Sequence, residues 1–449
     1  MSQNTEHKEG VYDALKELGP GKTAVLSLQH VFAMFGGTVL VPLLCGLSVS
    51  VTLFGCGIAT IWCYFVTKRK VPTFLGSSFA FIGAFAAVTH GDPARLPYAT
   101  GGVVFCGLLY VILALLVHLF GVKKVMKLFP PVVTGPIIML LGLVLAGTAI
   151  GDASSNWVLA VIALFLVIVI NVFGKGMAKM LPVLIAIFGT FAIGSIISFV
   201  KPDLFGLTWV DFSRFTSVFA DGVQVTDIVN VPPFFLPKFE LGACVIFSIA
   251  ALAAIADHIG AVAAIGATCG RNYIADPGLT RTLLGDGVGT TIAGLFGGPA
   301  NCTYSENTGV MVLTRVYDPK VTMLAGCFAI LLSFISIFDS FINMIPGSIL
   351  GGISILLYGS ITNTGIRMMV EEKVDFNKTR NIVIIAVMLV AGLGFDLSPI
   401  VISAGTSSFE IGGLAVAAIF GIIANAVLPG NDYEFDSNPG TGEGTSLRV

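Results

Sequence analysis

Apolar stretches long enough to cross a lipid bilayer recur along almost the whole chain. A helix needs roughly 17 to 25 such residues to span a hydrocarbon core of about 30 Å. Only 11% of the residues are charged and 55% are hydrophobic, which lies well outside the usage of ordinary soluble domains. We therefore predict an all-α polytopic membrane protein. Its fourteen predicted spans, two of them unusually short, have centres near Phe32, Ala59, Phe81, Tyr110, Leu141, Leu164, Ile187, Ala250, Ala293, Met311, Leu331, Ile355, Val390 and Ala418.

The distribution of Lys and Arg indicates how these spans are oriented. With the N-terminus in the cytoplasm, 20 of the 24 basic residues fall in inward loops or in the two tails. Outward loops receive only Arg95, Lys201, Arg214 and Lys238. Because an even number of spans returns the chain to its starting side, we predict a multi-pass protein of the cell membrane with both termini cytoplasmic.

Other global features argue against several classes of partner. A net charge of −2, without a basic cluster, argues against nucleic acid. The eight cysteines form no CxxC pair and are interpreted as small core residues. We predict no metal, no cofactor and no enzymatic activity. The polar N-terminus contains no cleavable signal peptide, and residues 11–18 are predicted as a short interfacial helix.

Two spans are interrupted in a way that sets them apart. The third begins with Pro72 and contains Gly76 and two serines before a regular apolar run resumes. In the tenth, glycine and proline at 297–301 break the chain, and a regular run starts near Glu306. Each pattern predicts an extended segment leading into a half-helix, the second about 15 Å long. Such backbone is tolerated at membrane depth only where protein or a cavity satisfies its amides.

The two interruptions occupy corresponding places in two halves of seven spans. An odd number of spans orients the halves oppositely, which permits an inverted repeat with a substrate site at the midplane, as in many transporters. Ser78 and Ser305 are predicted as N-caps of the half-helices. The free amides and positive dipole ends of both helices would then aim at one point.

Glu306 and Asp257 are the two acids predicted at membrane depth. A carboxylate there is costly, which makes a substrate or ion site the default interpretation. Asp257 has only small neighbours at three and four residues along its helix, which leaves room for a ligand or for a closely packed helix. A structural role, such as pairing with a basic group or fixing a helix interface, is the alternative for each acid.

Five further residues are weaker candidates. His30, in the first span, is either a core histidine or a partner of the acids. His258 is rotated about 100° from Asp257 along its helix and is interpreted as structural. Phe79 is notable only for its position at the break. Asp286, like Asp339, is interpreted as a helix-end or gating-loop acid without an assigned function.

The segment beginning at Glu306 carries a family resemblance. Residues 306–315, ENTGVMVLTR, fit the pattern (Q or E)-N-x-G-x-x-x-x-T-(R, K or G) of the nucleobase-ascorbate transporters. The matching positions after Glu306 are Asn307, Gly309, Thr314 and Arg315. Residues 27–36, 72–81 and 351–359 resemble bacterial uracil permeases in particular, and the resemblance covers about residues 26–426.

The resemblance implies a seven-plus-seven inverted repeat with a core domain and a gate domain. Spans 1–4 (21–121) and 8–11 (240–342) form the core, and spans 5–7 (122–200) and 12–14 (343–429) form the gate. An extracellular connector (201–239) and two cytoplasmic tails (1–20 and 430–449, the latter disordered) complete the chain. It further implies a homodimer driven by protons rather than sodium.

The resemblance also assigns site residues. Substrate binding falls on Glu306, Asp257, Phe79, Ser305, Tyr304 and Ser78, with Phe79 and Ser305 acting through their backbones. Proton coupling falls on Asp257, His30 and Glu306. The chain departs from uracil permeases in having Asp257 where they usually have Glu and Ala261 where they have His. The shorter carboxylate reaches about 1.5 Å less far, so water or a shifted backbone would complete its contact with the base.

We therefore expect secondary active import of uracil, or of a close pyrimidine base, together with protons. Glu rather than Gln at the start of the motif favours pyrimidine over xanthine or urate. A purine or other nucleobase permease remains an alternative, and an anion transporter of the same fold is disfavoured because Glu306 repels anions. The proton is assigned to the Asp257 and His30 side, which leaves Glu306 mainly for substrate.

Overall fold

A computed structural model of the chain describes residues 10–127, 130–176, 178, 181–201, 204, 207–213, 229–335, 341–342, 344–404 and 407–430. The predictions for Asp339, for the C-terminal tail from 431 and for much of the connector lie outside the described residues.

Helices form most of the described chain. The first half contains α1 (Ala14–Glu17), α2 (Gly19–Cys45), α3 (Val49–Val66), β1 (Leu75–Ser77), a 3-10 helix (Phe79–Phe81), α4 (Ile82–Thr89), a second 3-10 helix (Pro93–Arg95), α5 (Leu96–Phe120), α6 (Val122–Met126), α7 (Pro131–Val144), α8 (Ala146–Ser154), α9 (Trp157–Phe173) and α10 (Pro182–Val200). The second half contains α11 (Leu241–Cys269), a π-helix (Ile274–Gly278), α12 (Leu279–Leu295), β2 (Asn301–Thr303), α13 (Ser305–Thr314), α14 (Pro319–Ser333), α15 (Gly347–Glu371), α16 (Thr379–Leu397), β3 (Ile400–Ala404), β4 (Ser407–Ile411) and α17 (Gly413–Val427).

Every predicted span centre lies in a different helix of the structure. Among the described residues, eight helices are long and apolar enough to cross a membrane unaided, and four shorter apolar helices accompany them. The polytopic helical class is therefore confirmed. The count of fourteen crossings stays a prediction, because several of the helices are shorter than the bilayer core requires.

The two predicted extended segments pair with each other. β1 and β2 are antiparallel, with Leu75 opposite Thr303 and Ser77 opposite Asn301. Two further bonds extend the ladder beyond the strands: the Ser78 amide donates to the Ala300 carbonyl at 2.9 Å, and the Tyr304 amide to the Phe74 carbonyl at 3.1 Å. The non-helical backbone at both interruptions is thus satisfied by protein, as burial in a membrane demands.

A second strand pair was not predicted. β3 and β4 form an antiparallel hairpin between α16 and α17, with Ile400 opposite Ile411. The β-branched run Ile400-Val401-Ile402 favours extended backbone over helix. The all-α prediction is corrected here by one hairpin between the last two predicted spans.

The helices sort into two packed groups. In the first, α5 packs against α11 and α12, α3 against α12 and α14, and α2 against α14, around the β1–β2 pair. In the second, α15 packs against α7, α8 and α9, α9 against α10, and α16 against α7 and α17. The first group combines the beginnings of both halves of the chain, and the second combines their ends.

The N-terminal segment is attached to the first group by main-chain pairing. The predicted helix at 11–18 is only partly right, since α1 is confined to Ala14–Glu17. Val11 instead pairs in parallel with Val316, and the Ala14 amide donates to Asp318 Oδ2 at 2.8 Å. The apolar side chains of Val11 and Ala14 gain more from packing on the chain after α13 than a short surface helix would provide.

Asp318 is expected to stabilise this attachment through two hydrogen bonds. It accepts from the Ala14 amide and also caps α14 through the Lys320 amide at 2.9 Å. Asp318→Ala removes both bonds and should lower the stability by about 1–3 kcal/mol. Asp318→Asn can keep the cap and should lose less. Thermal unfolding in detergent measures both, with Asp92→Ala as the matched control, because Asp92 caps only its own exposed turn. Equal losses for Asp318→Ala and Asp92→Ala would show that the tertiary bond contributes nothing.

Candidate functional site

The β1–β2 pair leads directly into two short helices. The 3-10 helix and α4 follow β1, and α13 follows β2. Because the strands are antiparallel, the two helices leave the pair in opposite directions from Ser77 and Thr303. These strand ends are two register steps apart, about 7 Å. The N-termini of both helices therefore lie at the short strand pair, and their common aim at one point stays a prediction.

One of the two predicted N-caps is correct. Ser78 Oγ accepts from the Ala80 amide at 3.3 Å and caps the 3-10 helix. Ser305 is instead the first residue of α13, and Tyr304 occupies the N-cap position without a side-chain bond. Tyr304 remains extended because its amide still belongs to the strand ladder. The first amides of α13 are consequently left without a side-chain cap from the N-cap residue, as an open anion- or carbonyl-binding helix end requires.

The Tyr304 side chain serves the scaffold. Its buried hydroxyl donates to the Ser77 carbonyl at 2.7 Å and accepts from Thr38 Oγ1 at 3.3 Å. The ring lies against the backbone of Gly76, where an added Cβ would overlap it, and the hydroxyl lies close to Gly37. The hydroxyl and the amide of Tyr304 are thus both engaged by the scaffold, and the predicted contact of Tyr304 with substrate stays a prediction.

Gly76 should tolerate no side chain. Gly76→Ala drives a methyl group into the Tyr304 ring, and overpacking of this kind costs about 1–3 kcal/mol. We expect a lowered melting temperature and, in the surviving protein, weaker substrate binding through a displaced β1. Gly394→Ala in α16, where no atom lies within 4 Å of the new methyl group, is the control. An unchanged melting temperature for Gly76→Ala would contradict the packing described for Tyr304.

Three of the predicted residues remain accessible beside the strand pair. Glu306 lies in the first turn of α13 and is exposed, whereas Asp257 and Phe79 are half-buried. Asp257 belongs to α11, which packs against β2, the first 3-10 helix and α13. The elements that carry the two carboxylates and the aromatic ring therefore adjoin one another.

His30 reaches this place through Asn307. The Asn307 side-chain amide donates to the His30 carbonyl oxygen at 3.1 Å and approaches His30 Nδ1 at the same distance. Because the same NH₂ group serves both contacts, His30 Nδ1 acts as an acceptor and carries no proton. His30 is therefore linked to the residue after Glu306, while the predicted link to the acids themselves is indirect.

His258 and Asp286 form a buried pair behind the accessible acids. The distance from His258 Nδ1 to Asp286 Oδ2 is 2.8 Å, and both side chains are almost fully buried. Asp286 lies in the middle of α12, so its interpretation as a helix-end or loop acid is wrong. A signal was available: Asp286 stands between Gly285 and Gly287 within a glycine-rich helix, the kind of small-residue setting that singled out Asp257.

Among the described residues, no group of three or more His, Cys, Asp or Glu side chains has the arrangement of a metal site. The accessible groups are two carboxylates, a phenyl ring and helix-terminal amides. Such a set binds a small planar molecule that offers both hydrogen-bond donors and acceptors.

Comparison with known proteins decides the family. A permease-family model matches residues 21–401. The chain belongs to the nucleobase-ascorbate transporter family. It is 39% identical to the uracil permease of Bacillus caldolyticus over 91% of this chain and 93% of the relative. It is 36% identical to the uracil permease of Bacillus subtilis over 90% and 92%, and 34% identical to a putative pyrimidine permease of Escherichia coli over 95% and 94%.

Solved structures share the fold of this nucleobase-ascorbate transporter. The transmembrane domain of the cyanobacterial bicarbonate transporter BicA has a TM-score of 0.61 at 14% identity and covers 93% of this chain and 98% of its own. The murine anion transporter Slc26a9 in its inward-facing state has a TM-score of 0.64 at 10% identity, covering 89% and 67%. At these identities the likeness concerns the fold alone.

The remaining motif residues of this family member shape α13. Thr314 Oγ1 donates back to the Val310 carbonyl at 2.8 Å. Arg315 ends the helix in the left-handed region at φ 54°. Gly309 faces open space. The motif therefore encodes a ten-residue half-helix together with its termination, in addition to the acid at its start.

Proposed function

We propose that the protein imports uracil, or a close pyrimidine base, in symport with protons. In this proposal it crosses the plasma membrane fourteen times with both termini cytoplasmic. It operates as a homodimer in which the core domain, 21–121 and 240–342, moves against the gate domain, 122–200 and 343–429. The two packed groups of helices support this division, because each brings together the segments assigned to one domain.

The observation that carries the proposal is the exposed Glu306 in the first turn of α13. A carboxylate accepts from a ring N–H, and the neighbouring uncapped amides of the helix donate to a ring carbonyl. Uracil presents these two groups side by side. Phe79 supplies an apolar surface for the ring, and Asp257 a second acceptor. The names of the relatives, uracil permease and putative pyrimidine permease, support the same substrate class.

A cavity between the two domains supports movement of one against the other. It has a volume of about 560 Å³, including space open to solvent, and its walls come from α4, α7, α11, α16 and α17. The lining is apolar and rich in glycine and alanine except for Asp396. Small residues allow packed helices to approach and slide, which suits an interface that changes during transport.

Another nucleobase is the second candidate. A purine such as xanthine or urate offers similar donors and acceptors, and the Glu at the start of the motif is the feature that favours a pyrimidine. An anion substrate, which the names of the structural neighbours would suggest, is opposed by the carboxylates of Glu306 and Asp257 on adjoining elements. Like charges at close range disfavour binding of a further negative charge.

Competition for labelled uracil uptake tests the substrate. Cells or proteoliposomes containing the protein are offered uracil with an excess of unlabelled thymine, cytosine, xanthine, urate or bicarbonate, at two pH values with and without sodium. We expect competition by uracil analogues, faster uptake at the lower outside pH and no dependence on sodium. Absence of saturable uracil uptake, or stronger competition by xanthine than by uracil itself, would refute the pyrimidine assignment.

Asp257 is the proposed carrier of the coupled proton, with His30 and Glu306 assisting. His30 Nδ1 already accepts from Asn307, so a proton placed on that nitrogen would break the contact that ties α2 to α13. Glu306 is engaged by substrate when the site is filled. Asp257 is a half-buried acid on the helix that packs against β2 and α13, and it is left as the carboxyl group that can take up and release the proton.

A further inference from the structure

The buried pair of His258 and Asp286 extends to the strand that begins the half-helix. His258 Nδ1 lies 2.8 Å from Asp286 Oδ2 and 3.2 Å from Thr303 Oγ1. His258 and Asp286 have exposed side-chain fractions of 2% and 0%, and Thr303 is also buried. Three elements that are distant in sequence, α11, α12 and β2, are therefore joined at one ring nitrogen.

The contacts define the protonation of the imidazole. A carboxylate oxygen can only accept, so the short contact with Asp286 places a hydrogen on His258 Nδ1. With that hydrogen on Nδ1, Thr303 Oγ1 at 3.2 Å accepts from the same N–H as the longer branch of a three-centre hydrogen bond. His258 Nε2 has no hydrogen-bond partner among the described residues, and the edge of the ring packs against Tyr110, with centroids 6.3 Å apart. The imidazole is thus oriented through Nδ1 alone.

Thr303 connects the strand pair to the helix that carries Glu306. It is the last residue of β2 and pairs with Leu75 of β1, and α13 begins two residues later. A shift of Thr303 therefore moves the first turn of α13, which carries Glu306. His258 follows Asp257 directly on α11. Asp257 is therefore on the side of the accessible site, while His258 contacts the strand behind it.

We propose that His258 is a positioning residue for substrate binding. Its Nδ1–H, oriented by Asp286, holds Thr303 and thereby places the N-terminus of α13 and Glu306 at the correct distance from Asp257. The role requires an N–H donor at the Nδ1 position and does not require the ring to take up or release a proton. This inference rests on the proposed function only in taking a nucleobase as the ligand.

Two substitutions of His258 distinguish the role of Nδ1 from that of Nε2. The amide of His258→Asn replaces the Nδ1–H donor, whereas the longer His258→Gln places its amide near Nε2 and leaves Asp286 and Thr303 without their donor. A tenfold change in affinity corresponds to about 1.4 kcal/mol, which is the scale of one buried hydrogen bond. We expect His258→Gln to raise the Kd and KM for uracil about tenfold with a much smaller change in Vmax. His258→Asn should stay within about threefold of the unmodified protein and keep its pH profile.

A second pair of substitutions tests the contact between Thr303 of β2 and His258. Thr303→Val removes the hydroxyl and should weaken binding, but by no more than His258→Gln, which also removes the donor to Asp286. Thr303→Ser keeps the hydroxyl and should bind normally. The double variant His258→Gln/Thr303→Val should bind no more weakly than His258→Gln alone, because His258→Gln already removes the contact that Thr303→Val removes.

Three outcomes would overturn the proposal. They are a His258→Asn protein as impaired as His258→Gln, a Thr303→Val protein with normal affinity, and losses that multiply in the double variant. A His258→Asn protein that binds normally but loses its pH dependence would likewise overturn it, by assigning a proton to Nε2. Detergent gel filtration and melting temperature verify folding of every variant. If the unmodified protein binds another base, the same series is run with that base, so a failed substrate assignment is distinguished from a failed positioning role.

Discussion

Replacing Glu306 by alanine should abolish saturable uracil uptake. The variant removes the accessible acceptor at the start of α13, and a hydrogen bond to a charged group contributes about 1.5–3 kcal/mol. We expect the Kd to rise by about tenfold to more than a hundredfold. Glu306→Gln keeps an acceptor but adds a donor, so it should lose less affinity for uracil and gain relative affinity for xanthine. Binding of labelled uracil to the purified protein measures both.

An acid of the same domain provides the control for this series. Glu240, at the N-terminal end of α11, pairs with Arg95 at 2.7 Å and lies away from the strand pair. Glu240→Gln changes the charge of the protein by the same amount and should bind uracil normally. A Glu306→Ala protein with an unchanged Kd would remove Glu306 from the substrate site and with it the main support for the proposed function.

Replacing Asp257 by asparagine should separate transport from its driving force. A pH gradient of one unit stores about 1.4 kcal/mol per proton, enough to accumulate substrate tenfold in a one-to-one symport. Without a titratable group at position 257, uracil should only equilibrate across the membrane, and the accumulation ratio should fall from about ten to about one. Exchange of labelled for unlabelled uracil needs no net proton movement and should continue.

Proteoliposomes allow both modes to be measured in one preparation. Gradient-driven uptake and counterflow are compared for the unmodified protein, for Asp257→Asn and for Asp152→Asn. Asp152 is also half-buried but belongs to α8 in the proposed gate domain, so its variant should behave as the unmodified protein does. Full accumulation by Asp257→Asn would place the coupled proton elsewhere, and loss of both modes would give Asp257 a role in binding rather than in coupling.

The sequence was sufficient to locate the interruptions that organise the site. Pro72 and the glycines near 297 are unusual inside apolar spans, and the structure places an extended segment at each. Hydrophobic periodicity located the helices for the same reason, since a bilayer leaves few alternatives for a long apolar run. What these signals did not contain was the pairing of the two segments, which depends on contacts between distant parts of the chain.

The residues that sequence reasoning missed have partners on other helices. His258 and Asp286 lie 28 residues apart in sequence, and neither helix alone indicates that the two side chains meet. Ser305 was misassigned because the N-cap preference of serine competes with the strand ladder, which keeps Tyr304 extended for one residue more. The scaffold role of the Tyr304 hydroxyl was likewise not predicted, because its partner, Ser77, is 227 residues away.

The long distance in sequence between β1 and β2 affects how the protein can be inserted into the membrane during synthesis. During synthesis β1 emerges and enters the membrane long before β2 exists, and its backbone groups then lack the partner that later satisfies them. Unpaired amides are costly in a hydrocarbon environment, so the third span cannot reach its final depth until the second half of the chain arrives. Biogenesis of the N-terminal half therefore passes through a stage in which β1 must be sheltered by water or by the insertion machinery, and release from that stage is triggered by the insertion of β2.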